Sequence, residues 1–272
     1  MSSKFLPAFD LSDSAQLKKT LNRALRCYLN DGCVLLKNVF DAQFILQLQQ
    51  EFNERYQGYF KPGDFSDALK VGDKRTMVTV DVKGSFNSEY FYANPNILKL
   101  IVSLLGSNCI MGSMGAVVSL PGSKHQHIHR DHPNIYHSAR FYPHKEHPLS
   151  ASPPYAITVV TPLVPINDAT GCTRVWPGTH LSARRVREVK PENSADFNTE
   201  LGDCLLMDYR LIHQGLANNS NTVRPIIYNI YHSGWFRDVV NYKKQKPLVI
   251  SDEEFNQVPE QHRHLFEWSR KE

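Results

Sequence analysis

The chain contains no long apolar run and no ordered set of cysteines. Among its 272 residues, no stretch approaches the ~20 consecutive apolar residues that a membrane-spanning helix needs. Ser2, Lys4 and Asp10 interrupt the amino terminus, so it lacks the apolar core of a secretory signal. The five cysteines are an odd number without metal-site spacing, which fits reduced thiols. We therefore expect a cytoplasmic protein without a membrane partner.

Long runs of one charge are also missing. The net charge is only +4, and the densest basic run, 184–187, contains Val186 and is followed by Glu188. No basic motif is interleaved with aromatic residues, so we expect a solvated surface and no nucleic-acid partner. The chain shows no repeat, linker or low-complexity tract, and no pattern in it indicates an oligomeric state. We predict a single domain over residues 1–272.

Helical patterns are concentrated at the start of the chain. Asp13 followed by Gln16 predicts the cap of a first helix, and Asp41 predicts the cap of a second helix that ends near Tyr56. Asn94 and Pro95 predict the start of a third helix, which ends at Gly106. We therefore expect residues 1–107 to form a mainly helical part.

Strand patterns follow from Cys109 onward and are separated by turns. They predict a barrel over residues 108–240, on which the helices pack. A capping box at Ser251 predicts a short helix within a tail over residues 241–272. The fold class we expect is mostly β with flanking helices, built on a double-sheet jelly roll of the cupin-like kind.

One tripeptide and two later residues form the pattern that points to chemistry. His129-Arg130-Asp131 is followed by His213, 82 residues after Asp131, and by Arg224, eleven residues further on. Two imidazoles and one carboxylate are the minimal set that holds a non-haem ferrous ion on one face and leaves other positions open. An arginine supplies the planar, permanently charged fork that suits a dicarboxylate. The order and spacing of these residues predict an oxygenase site.

The spacing has a simple structural interpretation. Side chains at positions i and i+2 of a strand share a face, so a strand would turn His129 and Asp131 toward one ion. His213 follows the strand-like run 203–209, and Arg224 opens another β-rich run. We expect a hairpin between His213 and Arg224, which would return the arginine beside the metal.

A rival metal site would use a different pair of histidines. Seven of the 12 histidines lie within residues 125–147, and His125, His127 and His129 alternate. They would share one face of a strand, so a zinc or cupin-like centre could be built on His127-x-His129. Such a centre needs a carboxylate a few residues later, where the chain has Pro133. This alternative is disfavoured but stays open.

Several motifs together resemble one known family. They are Gln126-x-x-His129-Arg130-Asp131, residues 171–180, Gly202-Asp203, His213, Arg224, and the flanking segments 31–39 and 235–238. In this order they are similar to the phytanoyl-CoA dioxygenase family, over roughly residues 20 to 245. The resemblance implies a double-stranded β-helix core and dependence on Fe(II), 2-oxoglutarate and O2. It also implies that His129, Asp131 and His213 are the metal ligands and that Arg224 binds 2-oxoglutarate.

Further cosubstrate contacts are expected from three polar residues. The resemblance places Gln126 and Thr173 where many members of the family have secondary contacts to 2-oxoglutarate. A hydroxyl hydrogen bond to it could come from Thr161 or Thr173, although threonine is also common in strands for its β-propensity. Gly215 stands where some members carry a cosubstrate-binding serine, and this departure leaves the substrate open.

The reaction that the resemblance implies is oxidation of a small-molecule substrate with release of succinate and CO2. Hydroxylation is the expected outcome, because Asp131 occupies the position that halogenating relatives leave vacant. Desaturation, cyclisation and epoxidation would use the same metal set and remain alternatives. A regulatory protein that binds metal without turnover is a further alternative from a different class.

Candidates for the substrate wall lie on segments around the expected mouth of the barrel. They are Met77, Tyr90, Tyr136, Tyr142, Trp235 and Phe236. Each of these residues is equally expected in core or surface packing, so the sequence makes them candidates only.

A long segment of loop-like composition, residues 137–154, interrupts the barrel after the metal motif. Its length and position predict a lid over the site. Its aromatics, Phe141 and Tyr142, could close over a substrate and exclude water. We expect a shortened segment to preserve iron and 2-oxoglutarate binding but to form succinate with little oxidised substrate. The measurement is product formed per succinate, and an unchanged ratio would show that the segment is surface decoration.

Overall fold

The strands of the described part of the chain form two sheets. The computed structural model describes residues 7–132, 135, 152–182, 185–243 and 246–269. In chain order the strands are β1 (Ala8–Asp10), β2 (Cys33–Lys37), β3 (Ala68–Gly72), β4 (Arg75–Thr79), β5 (Ile110–Ser119), β6 (Ala156–Pro162), β7 (Thr173–Val175), β8 (Ala195–Phe197), β9 (Cys204–Asp208), β10 (His213–Gly215) and β11 (Arg224–His232). The large sheet has the order β1-β2-β9-β6-β11-β5-β4-β3, and the small sheet has the order β10-β7-β8.

Helices lie mainly before and after this sheet core in the sequence. The α-helices are α1 (Leu17–Asp31), α2 (Ala42–Tyr56), α3 (Glu89–Tyr92), α4 (Pro95–Leu105) and α5 (Asp252–Asn256). Short 3-10 helices span Gln57–Tyr59, Gly84–Asn87, Thr179–Leu181, Val186–Glu188, Pro191–Asn193 and Glu260–Phe266. None of the helices in the described ranges is both long and apolar enough to span a membrane.

The predicted helix starts are confirmed where a side chain caps the helix. The Asp41 carboxylate accepts from Gln43 N at 2.7 Å, and the Asn94 side chain accepts the first amides of α4. Asp13 behaves differently from the prediction, because it accepts from Ala15 N and Gln16 N within a turn before α1. Helix α1 begins at Leu17 without a side-chain cap.

Side chains alternate between the two faces of the large sheet, as the pleat of a strand requires. On one face, buried residues of β5, β6, β9 and β11 form a core with the apolar sides of α1, α2 and α4. In β11, Ile227 and Tyr231 belong to this core, whereas Ile226, Tyr228 and Ile230 point to the other face. That second face lies toward the small sheet, and a cavity opens between them.

Two expectations about the segments that carry the site were wrong. Residues 124–132 form no strand, and an isolated antiparallel bridge joins His129 to His213. His213 and Arg224 are not partners in a hairpin, because β10 pairs with β7 while β11 pairs with β5 and β6. The segment between β10 and β11 passes from the small sheet to the large sheet. It contacts β5 through Asn218, whose Nδ2 donates to Ser119 O at 3.1 Å.

The first 107 residues supply strands as well as helices. Strand β4 pairs with β5 through a register that places Arg75 opposite Ser119, and β3 pairs with β4 at the edge of the sheet. Short runs with a half-buried pattern, such as β3, carry a weak sequence signal. These two strands extend the large sheet over the cavity and contribute residues to its wall.

Candidate metal and cosubstrate site

The two histidines of the expected metal set face each other across a pair of backbone hydrogen bonds. His129 N donates to His213 O at 3.0 Å, and His213 N donates to His129 O at 2.9 Å. Side chains directly opposite each other in an antiparallel pair lie on the same face. The ring centroids are accordingly only 4.3 Å apart. The bridge brings together two imidazoles that are far apart in the sequence.

Each imidazole is oriented by the carbonyl group two residues before it. His129 Nδ1 lies 2.8 Å from His127 O, and His213 Nδ1 lies 3.1 Å from Leu211 O. A carbonyl oxygen only accepts, so Nδ1 is the protonated nitrogen that donates each bond. Nε2 of each ring is then the nitrogen available to a cation.

Asp131 completes the set of three ligand atoms. One ligand atom each from His129, Asp131 and His213 lies within 4.8 Å of the other two. Asp131 Oδ1 lies 3.3 Å from His213 Nε2, and its Oδ2 accepts from Thr158 Oγ1 at 2.8 Å. Thr158 therefore orients the carboxylate from the neighbouring strand β6. The three groups fit a divalent first-row metal bound on one face.

The charges of these groups depend on each other. Burial, with the nearby His213 ring, lowers the pKa of His129 to about 4. Burial alone would raise the pKa of Asp131, but His213, His129 and the Thr158 hydrogen bond outweigh it and lower that pKa. Burial would lower the pKa of His213, yet the Asp131 carboxylate raises it. The Asp131 carboxylate therefore favours the protonated form of His213, and a metal ion held by these residues would compete with that proton.

The three groups line a cavity of about 410 Å³ between the two sheets. Its wall consists of alternating residues of the large sheet, residues of the small sheet, and the segment that carries the metal motif. Large-sheet residues are Leu69, Val71, Met77, Val117, Thr158, Val160, Met207, Ile226, Tyr228 and Ile230, with Arg224. Thr173, His213 and Gly215 come from the small sheet, and Gln126, His127, His129, Arg130 and Asp131 from the motif segment. The wall is completed by Lys70 of β3, in the large sheet, and by Tyr209, Asn241 and Tyr242.

Arg224 lies in the wall of the same cavity as the metal cluster. Its side chain is 3% exposed, and its Nη2 donates to Ser119 Oγ at 2.8 Å while Nη1 donates to Gly171 O. Nε has no hydrogen-bond partner among the described residues. Burial, with the nearby charge of Arg75, lowers the pKa of Arg224 to about 9. The guanidinium is therefore charged at neutral pH and incompletely paired.

Arg75 is a second buried guanidinium beside Arg224, and the sequence pattern gave no sign of it. The two arginines occupy β4 and β11, and both are register partners of Ser119 in β5. Arg75 is 1% exposed and donates to Gly215 O at 3.1 Å and to Leu216 O at 2.7 Å. No described aspartate or glutamate forms an ion pair with either arginine. Two buried cations without a counter-ion fit a site for an anionic ligand.

Two of the three further cosubstrate candidates lie in the cavity wall. Gln126 and Thr173 both line it, and Gln126 Oε1 accepts from Gly215 N at 3.1 Å. A Cβ at Gly215 would lie 2.4 Å from Gln126 Oε1 and 2.7 Å from Arg75 Nη1, so a serine there would displace both side chains. Thr161 is not brought to the cavity. It faces the opposite side of β6, where its hydroxyl lies 3.3 Å from Cys204 Sγ.

The proposed substrate residues divide into three groups. Met77 lines the cavity. Tyr90 lies elsewhere, with its hydroxyl accepting from Asp41 N at 3.1 Å, and neither Trp235 nor Phe236 is among the cavity-lining residues. Trp235 is 68% exposed, whereas Phe236 is buried against Tyr155. Tyr136 and Tyr142 lie outside the described residues, as do residues 137–151 of the predicted lid, residues 137–154.

Sequence reasoning missed several polar residues of the site. Thr158, Asn241 and Tyr242 line the cavity, and Thr158 and Asn241 also donate hydrogen bonds to Asp131. A threonine in an apolar strand and an asparagine in a polar segment carry no special signal. Only the strand register, which decides the face of each residue, could have separated Thr158 from Thr161.

Comparison with known sequences identifies the family. Residues 28–226, well over half of the chain, match the phytanoyl-CoA dioxygenase family. The chain belongs to this family. The matched range contains His129, Asp131, His213 and Arg224.

Two curated relatives are fungal oxygenases. Dioxygenase af480 of Aspergillus fumigatus is 24% identical over 164 residues, which are 58% of this chain and 49% of that protein. The iron/alpha-ketoglutarate-dependent dioxygenase ausO of Aspergillus calidoustus is 26% identical over 99 residues, which are 35% of this chain and 31% of that protein. The matches span half or less of the length of these relatives.

Solved structures confirm the expected fold class. The non-heme alpha-ketoglutarate-dependent epimerase SnoN, from nogalamycin biosynthesis, superposes with a TM-score of 0.61 at 19% identity, covering 84% of this chain and 87% of SnoN. HygX from Streptomyces hygroscopicus, solved with nickel, 2-oxoglutarate and hygromycin B, gives a TM-score of 0.59 at 13% identity, covering 79% and 88%. At these identities the likeness shows the fold, a double-stranded β-helix with flanking helices.

Substitutions can distinguish the site of His129, Asp131 and His213 from the alternative site built on His127 and His129. We expect His129→Ala, Asp131→Ala and His213→Ala each to abolish metal binding and succinate formation, because each removes one of three ligands. The matched control is His127→Ala, which removes an imidazole from the same segment but outside the cluster of ligand atoms. Metal content after equilibration, together with circular dichroism, measures both effects. Loss of metal in the His127 variant, with metal retained in the Asp131 variant, would favour the rival site.

Proposed function

We propose that this chain is an Fe(II)- and 2-oxoglutarate-dependent dioxygenase that hydroxylates a small-molecule substrate. The observation that carries the proposal is the position of two complementary sites in one cavity. His129, Asp131 and His213 present their ligand atoms together, and Arg224 presents a buried guanidinium in the same cavity wall. Family membership supports the same reaction class.

In this proposal His129, Asp131 and His213 hold the ferrous ion, and Arg224 pairs with the distal carboxylate of 2-oxoglutarate. A guanidinium suits that role because it binds a carboxylate through two parallel hydrogen bonds. Iron and 2-oxoglutarate, when bound, supply the activation of O2 that releases succinate and CO2. The protein orients the ligands through the His127 and Leu211 carbonyls and the Thr158 hydroxyl.

The buried arginines support an anionic cosubstrate in particular. Desolvation of a guanidinium is costly, and an ion pair offsets it only when the partner is close and well oriented. Arg224 Nε and Arg75 Nε have no partner among the described residues. A carboxylate placed at Arg224 would satisfy part of this deficit and would also be stabilised by the nearby charge of Arg75.

The rest of the wall supports a largely apolar substrate. Leu69, Met77, Val117, Tyr228 and Ile230 supply aliphatic and aromatic surface to the cavity. The described lining contains three lysine or arginine side chains, and they do not act together. Lys70 is exposed to solvent, with its Nζ 3.9 Å from Asp64 Oδ1, Arg130 donates to three backbone carbonyls, and Arg224 is assigned to the cosubstrate. These residues supply no cluster of cations for the phosphates of a coenzyme A ester.

Substitution of Arg224 tests the cosubstrate assignment. We expect Arg224→Ala to weaken 2-oxoglutarate binding by roughly 3–5 kcal/mol, on the order of a few hundred-fold or more, because the carboxylate loses its buried partner. Arg224→Lys should retain only part of the wild-type affinity for 2-oxoglutarate, since an ammonium group cannot make the two-pronged contact. The measurement is 2-oxoglutarate affinity at saturating metal.

The matched control for that experiment is Arg174→Ala. Arg174 lies next to Thr173 in β7, but its guanidinium is paired with Asp196 at 2.6 and 2.7 Å. We expect this variant to keep the wild-type affinity for 2-oxoglutarate. Equal 2-oxoglutarate affinities in the Arg224→Ala variant and the wild-type protein would show that another cation binds the distal carboxylate.

The outcome of the reaction is tested by mass spectrometry under isotopically labelled O2. The protein is incubated with Fe(II), 2-oxoglutarate and a mixture of small apolar metabolites, and succinate is measured in parallel. Hydroxylation predicts a product that gains one labelled oxygen atom. Loss of two hydrogens without label would instead indicate desaturation or cyclisation. Absence of succinate with tight metal binding would favour the non-catalytic alternative.

A further inference from the structure

A buried carboxylate lies close to the metal cluster without belonging to it. Asp238 is 0% exposed, and no lysine or arginine of the described residues forms an ion pair with it. His132 Nε2 is its nearest titratable nitrogen, at 3.8 Å. Burial of a carboxylate without a lysine or arginine partner is costly, and strong hydrogen bonds are needed to offset that cost.

Asp238 receives four such hydrogen bonds. Tyr209 Oη and Asn241 Nδ2 each donate to Oδ2 at 2.6 Å. Oδ1 accepts from the backbone N of Val240 at 3.1 Å and of Asn241 at 2.9 Å. The carboxylate therefore fixes the turn of residues 238–241 and the side chain of Asn241 within it.

Asn241 connects this carboxylate to a metal ligand. Its Nδ2 has two hydrogens, and besides Asp238 it donates to the main-chain oxygen of Asp131 at 2.7 Å. Asn241 also lines the cavity, as does Tyr209 at the other end of the network. A continuous chain of hydrogen bonds runs from Tyr209 through Asp238 and Asn241 to Asp131.

Asp131 needs this support more than the two histidines do. His129 and His213 are held by their mutual bridge and by carbonyls two residues before them. Asp131 lies beyond the bridge and belongs to no strand. Its side chain is held by Thr158 and its main chain by Asn241.

We propose that Asp238 and Asn241 are positioning residues that hold the metal ligand Asp131 in place. The inference rests on the proposed function, because it assumes that Asp131 binds the metal. Groups that orient a metal ligand typically contribute about 10–100-fold to metal affinity. Loss of either residue should therefore weaken metal binding while the three ligand side chains are all still present.

The experiment is a titration of the metal-free protein with Co(II), followed by visible absorption. Asn241→Ala and Asp238→Asn are expected to weaken Co(II) binding by about 10–100-fold and to alter the shape of the absorption bands. Tyr209→Phe, which removes one donor to Asp238, should have a smaller effect in the same direction. Thermal unfolding of each variant separates these effects from loss of the fold.

The matched control is Asp203→Asn, in a second buried carboxylate away from the cavity. Asp203 is 3% exposed and accepts from Asn38 N at 3.1 Å and Glu200 N at 3.0 Å. It can lower the melting temperature, but it should leave Co(II) affinity and the absorption bands as in the wild type. A general loss of stability cannot therefore imitate the expected result.

The outcomes distinguish the inference from the proposed function. Wild-type Co(II) affinity and absorption bands in Asn241→Ala would overturn the positioning role. The Asn241 side chain is exposed to solvent, so this variant decides the question if Asp238→Asn does not fold. Equal Co(II) binding by wild type and Asp131→Ala would instead reject the metal site on which the inference rests. Weakened binding in the Asp238 and Asn241 variants, with the Asp203 control unchanged, would support it.

Discussion

Two backbone hydrogen bonds between His129 and His213 are the interaction on which the site depends. They join an irregular segment to a three-residue strand of the small sheet, at 3.0 and 2.9 Å. Because the two residues are directly opposite, their imidazoles share one face, and Asp131 follows two residues later. Without this bridge, nothing would hold the two distant segments that carry the candidate ligands next to each other. With it, the three ligand atoms lie together in the wall of the cavity between the two sheets.

A second constraint is the pair of buried arginines on either side of Ser119. Their charges repel each other, and burial lowers the pKa of each, to about 10 for Arg75 and about 9 for Arg224. Arg75 is stabilised by the carbonyls of Gly215 and Leu216, so it also fixes the end of the strand that carries His213. Arg224 is less well satisfied. An anion beside it would relieve both its desolvation and the repulsion, which couples cosubstrate binding to the local stability of the site.

The chemistry of the site could be predicted from the sequence because it depends on residue types and their order. Helix starts at Asp41 and Asn94 were also predictable, since a cap is a contact between near neighbours. The path of the chain between His213 and Arg224 was not, because the change of sheet depends on pairing with distant strands. Thr161 and Thr158 illustrate the same limit. They differ only in which face of β6 they occupy, and register fixes that face.

Residues that act through others were hidden for a related reason. Arg75 contacts residues some 140 positions away, and Asn241 contacts Asp131 at a separation of 110. Their residue types are ordinary in the local sequence, so only the folded chain reveals what they touch. The network of Asp238 likewise consists of a local turn joined to one distant tyrosine. Local patterns therefore indicated the candidate ligands, whereas the supporting contacts required the tertiary structure.

The most direct test of this account is anaerobic absorption spectroscopy of the protein with Fe(II) and 2-oxoglutarate. The central claim is that one cavity binds both, with the iron on His129, Asp131 and His213 and the cosubstrate anchored at Arg224. 2-Oxoglutarate bound to the iron would give a weak visible charge-transfer band, and we expect this band only when both components are present. No band at high concentrations of both would contradict it.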